Sequence, residues 1–169
     1  MRLLCAMFLP ACVLLSACAA APTQPAISST VYLVRHAEKD LAAGKDPPLT
    51  AAGRARAERL STLLAKVPLE AIYSTATQRT RQTAMPTAQA HGLTTIEYDA
   101  SDAATFATSL RQQHPHGNVL VIGHSNTLPA LARALCHCAV DEMDEAIYGT
   151  RYTVQFDTAG HSQLQVDQD

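Results

Sequence analysis

Arginine and histidine side chains stand at three points of the sequence where a short apolar run gives way to polar residues. Arg35 and His36 follow the first of these runs, Arg79 follows the second, and His124 follows the third. Two arginines and two histidines would together form an anion site. Phosphate suits such a site best, because its oxygens accept forked hydrogen bonds from guanidinium groups.

These residue types also allow a reaction at phosphorus. One histidine can attack the phosphorus atom and form a phosphohistidine, which water then cleaves. The arginines would stabilise the negative charge on the equatorial oxygens during the transfer. They would also lower the pKa of the histidine, which keeps its lone pair free at neutral pH. The chemistry needs no metal and the sequence has no carboxylate cluster, so we predict neither a metal site nor a cofactor.

The apolar runs 31–34, 71–74 and 118–123 have the length and composition of buried strands. Amphipathic helices are predicted between and after them. The alternation of strands and helices predicts an α/β fold, a three-layer sandwich with a mostly parallel central sheet flanked by helices. In such sheets ligands bind beyond the carboxyl ends of the strands, where all four basic residues are expected.

Capping residues and alternating patterns predict the remaining elements. Thr50 and Asp102 can cap helices, and Gly92 can end the helix that contains Arg79. A third strand is predicted over 93–98. The tail, 151–166, alternates apolar and polar residues on both sides of a turn and predicts a β-hairpin or a pair of edge strands.

The composition restricts the class of protein. The 169 residues include 47% apolar and 17% charged residues, which excludes a disordered chain and a bundle of membrane helices. The formal net charge of -2 gives no basic surface for nucleic acid. We expect a monomer with a small phosphorylated substrate and no nucleic-acid partner.

The first residues of the sequence predict a signal for export rather than a part of the folded domain. Residues 1–17 have a basic start and an apolar stretch too short to span a bilayer, which is typical of a signal peptide. The segment that ends in Cys18 resembles the lipobox of bacterial lipoproteins, in which the cysteine is lipidated; an ordinary secretory peptide is the alternative. We predict a lipoprotein signal peptide over 1–17, a tether over 18–29 and a folded domain over 30–169. Cys18 would anchor the domain in the cell envelope, facing the periplasm. By the same resemblance, the residue after the cysteine, Ala19, favours the outer membrane because it is not an aspartate.

Two cysteines, Cys136 and Cys138, lie within the predicted domain. A single residue separates them, and the Cα atoms of an extended chain at this spacing lie near the upper limit for a disulfide. With His137 they could also suggest a metal site, but adjacent ligands cannot easily surround one ion. The sequence favours a structural loop and leaves the disulfide and the metal as alternatives.

Three segments in order resemble the histidine phosphatase superfamily, which includes phosphoglycerate mutases and acid phosphatases. They are Val-Arg-His-Ala-Glu near the start, Tyr-Ser-Thr followed by Arg-Thr-Arg-Gln-Thr-Ala, and Val-Ile-Gly-His-Ser. The resemblance covers residues 30–135 and implies a phosphoglycerate mutase-like fold and the short, single-domain branch. It implies that His36 accepts the phosphoryl group, that Arg35 and Arg79 bind phosphate, and that His124 contacts the phosphate oxygens.

The chain departs from the family pattern at three positions. Ala37 stands where many members have glycine, and Ser74-Thr75-Ala76 stands where Ser-Ser-Pro is common. The third departure concerns the general acid: one branch has an aspartate directly after the second histidine, where this chain has Ser125. Glu38 and Asp99 are both candidates for the acid. A third possibility is that no dedicated acid exists, which would suit a substrate with a good leaving group.

Two other functions are compatible with parts of the sequence. The segment 123–127 resembles the nucleophile elbow of serine hydrolases, with Ser125 as nucleophile and His161 as base, but it lacks the last glycine. The acid would then be Asp141 or Asp144. The other alternative is a non-catalytic lipoprotein of the same fold that binds phosphate or another anion.

Overall fold

The structure, a computed structural model, describes residues 26–168. The predicted signal peptide, 1–17, and the predicted lipidation site, Cys18, lie outside the described residues. The described part forms the following elements, in chain order: β1 (Ile27–Arg35), α1 (Ala51–Leu64), β2 (Leu69–Ser74), α2 (Gln78–His91), β3 (Thr95–Glu97), α3 (Ala103–Gln113), β4 (Asn118–Gly123), α4 (Leu128–Cys136), β5 (Thr150–Asp157) and β6 (Ser162–Gln168).

The strands form one six-stranded sheet with the order β3-β2-β4-β1-β5-β6. The first four strands in the chain are parallel to one another. β5 runs antiparallel to β1, and β6 antiparallel to β5. The predicted α/β fold with a mostly parallel sheet is confirmed. From β1 to β4, a helix between successive strands returns the chain to the end of the sheet at which the next parallel strand begins.

β4 lies in the middle of the sheet, as its continuous apolar run predicts. Its residues Val119, Leu120, Val121 and Ile122 are fully buried. Their side chains alternate between two hydrophobic clusters, one beneath α3 and α4 and the other beneath α1 and α2. Helices therefore cover both faces of the sheet. Polar groups can converge at the ends of the strands, which the helices leave uncovered.

The predicted helix boundaries follow the capping residues. The side-chain oxygen of Thr50 accepts a hydrogen bond from the Gly53 N–H at the start of α1, and Asp102 does the same for Thr105 at the start of α3. Gly92 ends α2 in a left-handed conformation, with φ of 64°. These caps satisfy backbone groups that the helix itself leaves unpaired.

Some predicted boundaries differ from those observed. β1 begins at Ile27, three residues ahead of the predicted domain boundary at Thr30. β3 spans Thr95–Glu97, a shorter strand than the predicted 93–98, and lies at the edge of the sheet. The predicted β-hairpin of the tail is confirmed as β5 and β6.

The expectation of a simple structural loop at Cys136 and Cys138 is wrong, because the structure joins the two residues by a disulfide. The prediction assumed an extended chain. His137 instead has a left-handed conformation with φ of 52°, and this curl brings the two Cα atoms to 5.2 Å. That distance is within the range of ordinary disulfides. Within residues 26–168, no helix is long and apolar enough to cross a membrane.

Candidate active site

The carboxyl ends of β1 and β4 lie side by side at one end of the sheet. Arg35 is the register partner of Gly123, and the His36 N–H donates to the Gly123 carbonyl at 3.0 Å. His36 and His124 therefore leave the sheet from adjacent strands. Their rings lie 5.4 Å apart between centroids and are inclined by 64°.

Hydrogen bonds connect the start of α2 to the same end of the sheet. The Thr83 side-chain oxygen accepts a hydrogen bond from the Ala37 N–H at 3.0 Å and donates to the Arg79 carbonyl at 2.7 Å. Thr83 thus links the residue after His36 to the helical turn that carries Arg79. The four basic residues predicted from the sequence are brought together by these contacts.

His36 is neutral and has a defined tautomer. Its Nδ1 lies 2.8 Å from the Ala37 carbonyl oxygen. A carbonyl oxygen can only accept, so Nδ1 carries the hydrogen and Nε2 keeps its lone pair. Burial lowers the pKa of His36 to about 3, and the charges of Arg35 and Arg79 add to the decrease.

His124 is neutral for similar reasons. Burial lowers the pKa of His124 to about 4, and Arg79, Lys39 and Arg35 contribute in that order. Its Nε2 lies 2.9 Å from the Thr75 side-chain oxygen, which fixes the orientation of the ring. Lys39 is thus close enough to His124 to affect the site electrostatically.

Arg35 is only 2% exposed, although it carries a permanent charge. Its Nη1 donates to the carbonyl oxygens of Glu145 at 2.7 Å, Ile147 at 3.1 Å and Asp144 at 3.3 Å. The ring of Tyr148 lies over the guanidinium, with Cζ 4.2 Å from the ring centroid. The loop between α4 and β5 therefore holds one side of Arg35 in place.

The other side of Arg35 is unpaired. Its Nε and Nη2, and the Nε of Arg79, are buried and have no hydrogen-bond partner among residues 26–168. Leaving such donors without a partner is costly. Nε and Nη2 form the edge of a guanidinium that binds two oxygens at once. The arrangement is therefore suited to an oxyanion between Arg35, Arg79 and the two histidines.

The loop after β1 reaches α2 through Asp46. Its Oδ1 accepts a hydrogen bond from the Gln78 N–H at 2.9 Å and lies 3.7 Å from Arg79 Nη1. Beside His124, a cleft of about 670 Å³ extends between the loops that follow β2 and β3. The cleft gives the site room for a substrate larger than phosphate.

The two predicted acids have different surroundings. Glu38 points to α1 and accepts three hydrogen bonds from Arg56, the shortest at 2.8 Å. Burial raises the pKa of Glu38, but the hydrogen bonds and charge of Arg56 outweigh it and give a net decrease. Asp99 is exposed and lines the cleft beside His124, and hydrogen bonds from Ser101 lower its pKa.

Sequence reasoning missed Tyr148 and Asp46 as neighbours of the site. Tyr148 lies in a loop with no hydrophobic periodicity, and its contact with Arg35 joins residues far apart in the sequence. Asp46 lies in a polar loop, and its pairing with the start of α2 has no local signal in the sequence. The ring of Tyr148 also lies 6.2 Å from that of His36.

The alternative chemistries lack their partners in this structure. Ser125 follows β4, at the carboxyl end of the parallel strands. His161 lies in the β5–β6 turn and forms a hydrogen bond with Asp157, which pairs with Ile27 at the opposite end of the sheet. Cys136 and Cys138 are bonded to each other. Within the described residues, no three histidine, cysteine or acidic side chains converge as a metal site would require.

The sequence model of the histidine phosphatase superfamily (branch 1) matches residues 31–103. The matched segment contains Arg35, His36 and Arg79 and ends before β4 and His124. A search of curated protein sequences finds no match.

Solved structures with this fold cover most of the chain. The protein histidine phosphatase SixA, solved with tungstate, is 20% identical with a TM-score of 0.70, and the match covers 82% of this chain and 96% of SixA. YhfR of Bacillus stearothermophilus is 20% identical with a TM-score of 0.68, covering 83% and 97%. A mycobacterial glucosyl-3-phosphoglycerate phosphatase is 15% identical with a TM-score of 0.65, covering 81% and 97%. At these identities the likeness establishes the phosphoglycerate mutase-like fold.

Proposed function

We propose that the chain, whose residues 31–103 match the sequence model of the histidine phosphatase superfamily, hydrolyses phosphomonoesters or related phosphorylated compounds through a phosphohistidine on His36. The observation that carries the proposal is the set of three buried, unpaired guanidinium donors beside a neutral histidine. Donors of this kind bind an oxyanion, and the lone pair on Nε2 of His36 supplies the nucleophile.

In the first step, the substrate phosphate binds to Nε and Nη2 of Arg35 and to Arg79. Nε2 of His36 attacks phosphorus as the bond to the leaving oxygen breaks, and that oxygen takes a proton. Water then attacks the phosphohistidine, releases phosphate and restores neutral His36. In both steps the arginines and His124 stabilise the charge on the transferring oxygens, which is the main contribution a protein makes to phosphoryl transfer.

The leaving oxygen must take its proton from a nearby group or from solvent. Glu38 is held as a carboxylate by Arg56 and points toward α1, so its contacts suit a role in positioning the turn after His36. Asp99 is the one of the two predicted acids that lines the cleft, but its hydrogen bonds from Ser101 favour the ionised form. We therefore propose that solvent in the open cleft supplies the proton, as a substrate with a good leaving group would allow.

Hydrolysis of p-nitrophenyl phosphate tests this function. We expect turnover that vanadate inhibits, that a chelator leaves unchanged and that His36→Ala abolishes. Full activity in His36→Ala, or loss of activity on chelation, would contradict the proposal. A fluorophosphonate that labels Ser125 would favour the serine hydrolase instead.

The non-catalytic alternative makes a different prediction for the same protein. Inorganic phosphate would bind and raise the melting temperature, but no phosphorylated compound, including an acyl phosphate, would be turned over. We propose the enzyme because the nucleophile, both arginines and the second histidine are all present in the site.

We further propose that lipid on Cys18 anchors the domain in the cell envelope, facing the periplasm. The support is the lipobox-like segment that ends at this residue. Cys18→Ser should move the protein from the membrane fraction to the soluble fraction. Unchanged fractionation of this variant would contradict the anchor.

A further inference from the structure

We infer that the alcohol part of the substrate carries a positive charge or hydroxyl groups and no second anionic group. This inference rests on the proposed phosphatase function, because it concerns the part of the substrate that leaves. It is carried by the position and the lining of the cleft beside His124, taken together with the unpaired donors of Arg35.

The phosphate end of the substrate is fixed by the buried arginine. Arg35 is almost completely buried, and its Nε and Nη2 have no partner among the described residues, so they mark the place of two phosphate oxygens. His36 adjoins this place and His124 borders both it and the cleft. A leaving group attached to phosphorus therefore extends past His124 into the cleft.

The lining of the cleft is acidic and rich in hydroxyl groups. Two carboxylates, Glu97 and Asp99, stand on the β3 side, and neither forms an ion pair with another residue of 26–168. Aliphatic hydroxyl groups come from Thr75, Thr77, Ser101 and Thr127, and Tyr98 also lines the cleft. Among the described residues, no arginine or lysine lines this cleft.

The positive charges instead surround the phosphate. Arg35 and Arg79 supply the guanidinium groups, and Lys39 is close enough to act on His124. The charge of the lining residues therefore changes from positive at the phosphate end to negative at the leaving-group end. A phosphomonoester of an amino alcohol matches this distribution, whereas a substrate with a carboxylate on its alcohol part would place that group against Glu97 and Asp99.

A matched set of two-carbon substrates tests the inference on the full-length chain. 2-Aminoethyl phosphate, 2-hydroxyethyl phosphate and 2-phosphoglycolate have the same length and differ in the charge of the leaving alcohol. The measured quantity is the ratio of kcat/KM for the aminoethyl ester to that for phosphoglycolate. Comparing this ratio between wild type and a Glu97→Gln/Asp99→Asn variant cancels the intrinsic reactivity of the two esters.

We expect the ratio to fall roughly tenfold in the double variant at low ionic strength, because two unit charges facing the leaving group are removed. The difference between wild type and variant should shrink as salt is added. Glu58→Gln, which neutralises an exposed carboxylate on α1, should leave the ratio unchanged. If the double variant fails to fold by circular dichroism, Glu97→Gln alone should lower the ratio about threefold.

Each outcome separates the inference from the function on which it rests. An unchanged ratio in the folded variant would overturn the inference, and so would turnover of p-nitrophenyl phosphate with none of the three alkyl esters. Absence of turnover for every substrate, the aryl ester included, would overturn the proposed function, and the inference would fall with it.

Discussion

The Cζ atom of the Arg35 guanidinium lies over the aromatic ring of Tyr148, 4.2 Å from the ring centroid. The same loop gives three carbonyl oxygens to Nη1 of Arg35. The two contacts fix the arginine so that Nε and Nη2 face the site unpaired. Tyr148 is thus a positioning residue for phosphate binding.

Tyr148→Leu should weaken the binding of vanadate and of inorganic phosphate. A cation–π contact of this kind contributes about 0.5–2 kcal/mol, so we expect an inhibition constant roughly 2–30 times higher. Tyr148→Phe keeps the ring and should bind vanadate as wild type does. Equal weakening in both variants would mean that the hydroxyl, rather than the ring, supports the site.

Acidification should destabilise the folded chain through its buried histidines. The pKa of His36 is about 3 in the folded chain against an ordinary value of 6.5. Between these values the unfolded chain binds more protons, so the free energy of unfolding falls as the pH falls. Urea unfolding from pH 7 to pH 4 should show a smaller loss in His36→Asn than in wild type, and the ring protons of His36 should show no NMR titration near pH 6.5. A normal titration there would refute the buried, neutral histidine.

Glu38 and Arg56 give a prediction about the general acid. If Glu38 only positions the turn after His36, Glu38→Gln should reduce kcat by the same factor for an aryl phosphate and an alkyl phosphate. It should also lower stability by about 1–3 kcal/mol, since charge-assisted hydrogen bonds to Arg56 are lost. A much larger loss for the alkyl ester, whose leaving group is poorer, would identify Glu38 as the acid.

The disulfide between Cys136 and Cys138 closes a very short loop. Only one residue separates the cysteines, so the entropy it removes from the unfolded chain is small. A Cys136→Ser/Cys138→Ser variant should lose roughly 1–2 kcal/mol of stability by urea unfolding. Thiol labelling of denatured wild type should modify both residues only after reduction; labelling without reduction would show that they are free.

The sequence predicts those parts of the site that have a local signal. Arg35, His36 and His124 could be found because each directly follows an apolar strand, and Arg79 because it lies in the first turn of a helix. Tyr148 could not be found, because its loop has no periodicity and its contact with Arg35 exists only after β1 and β5 have paired. The pairing of Glu38 with Arg56 joins a turn to a helix face across 18 residues, and nothing in either segment indicates it. The disulfide was only an alternative to a structural loop, because the left-handed turn at His137 could not be predicted from the sequence.

The measurement that most directly tests the proposed reaction is isolation of a phosphoenzyme. The purified protein would be mixed briefly with radiolabelled substrate, denatured in base and digested, and the labelled peptide would be identified by mass spectrometry. We predict label on the peptide that contains His36, stable in base and lost in acid, as expected for a phosphoramidate, and no label in His36→Ala. Turnover without this label, or label on a serine or an aspartate, would contradict the proposed mechanism.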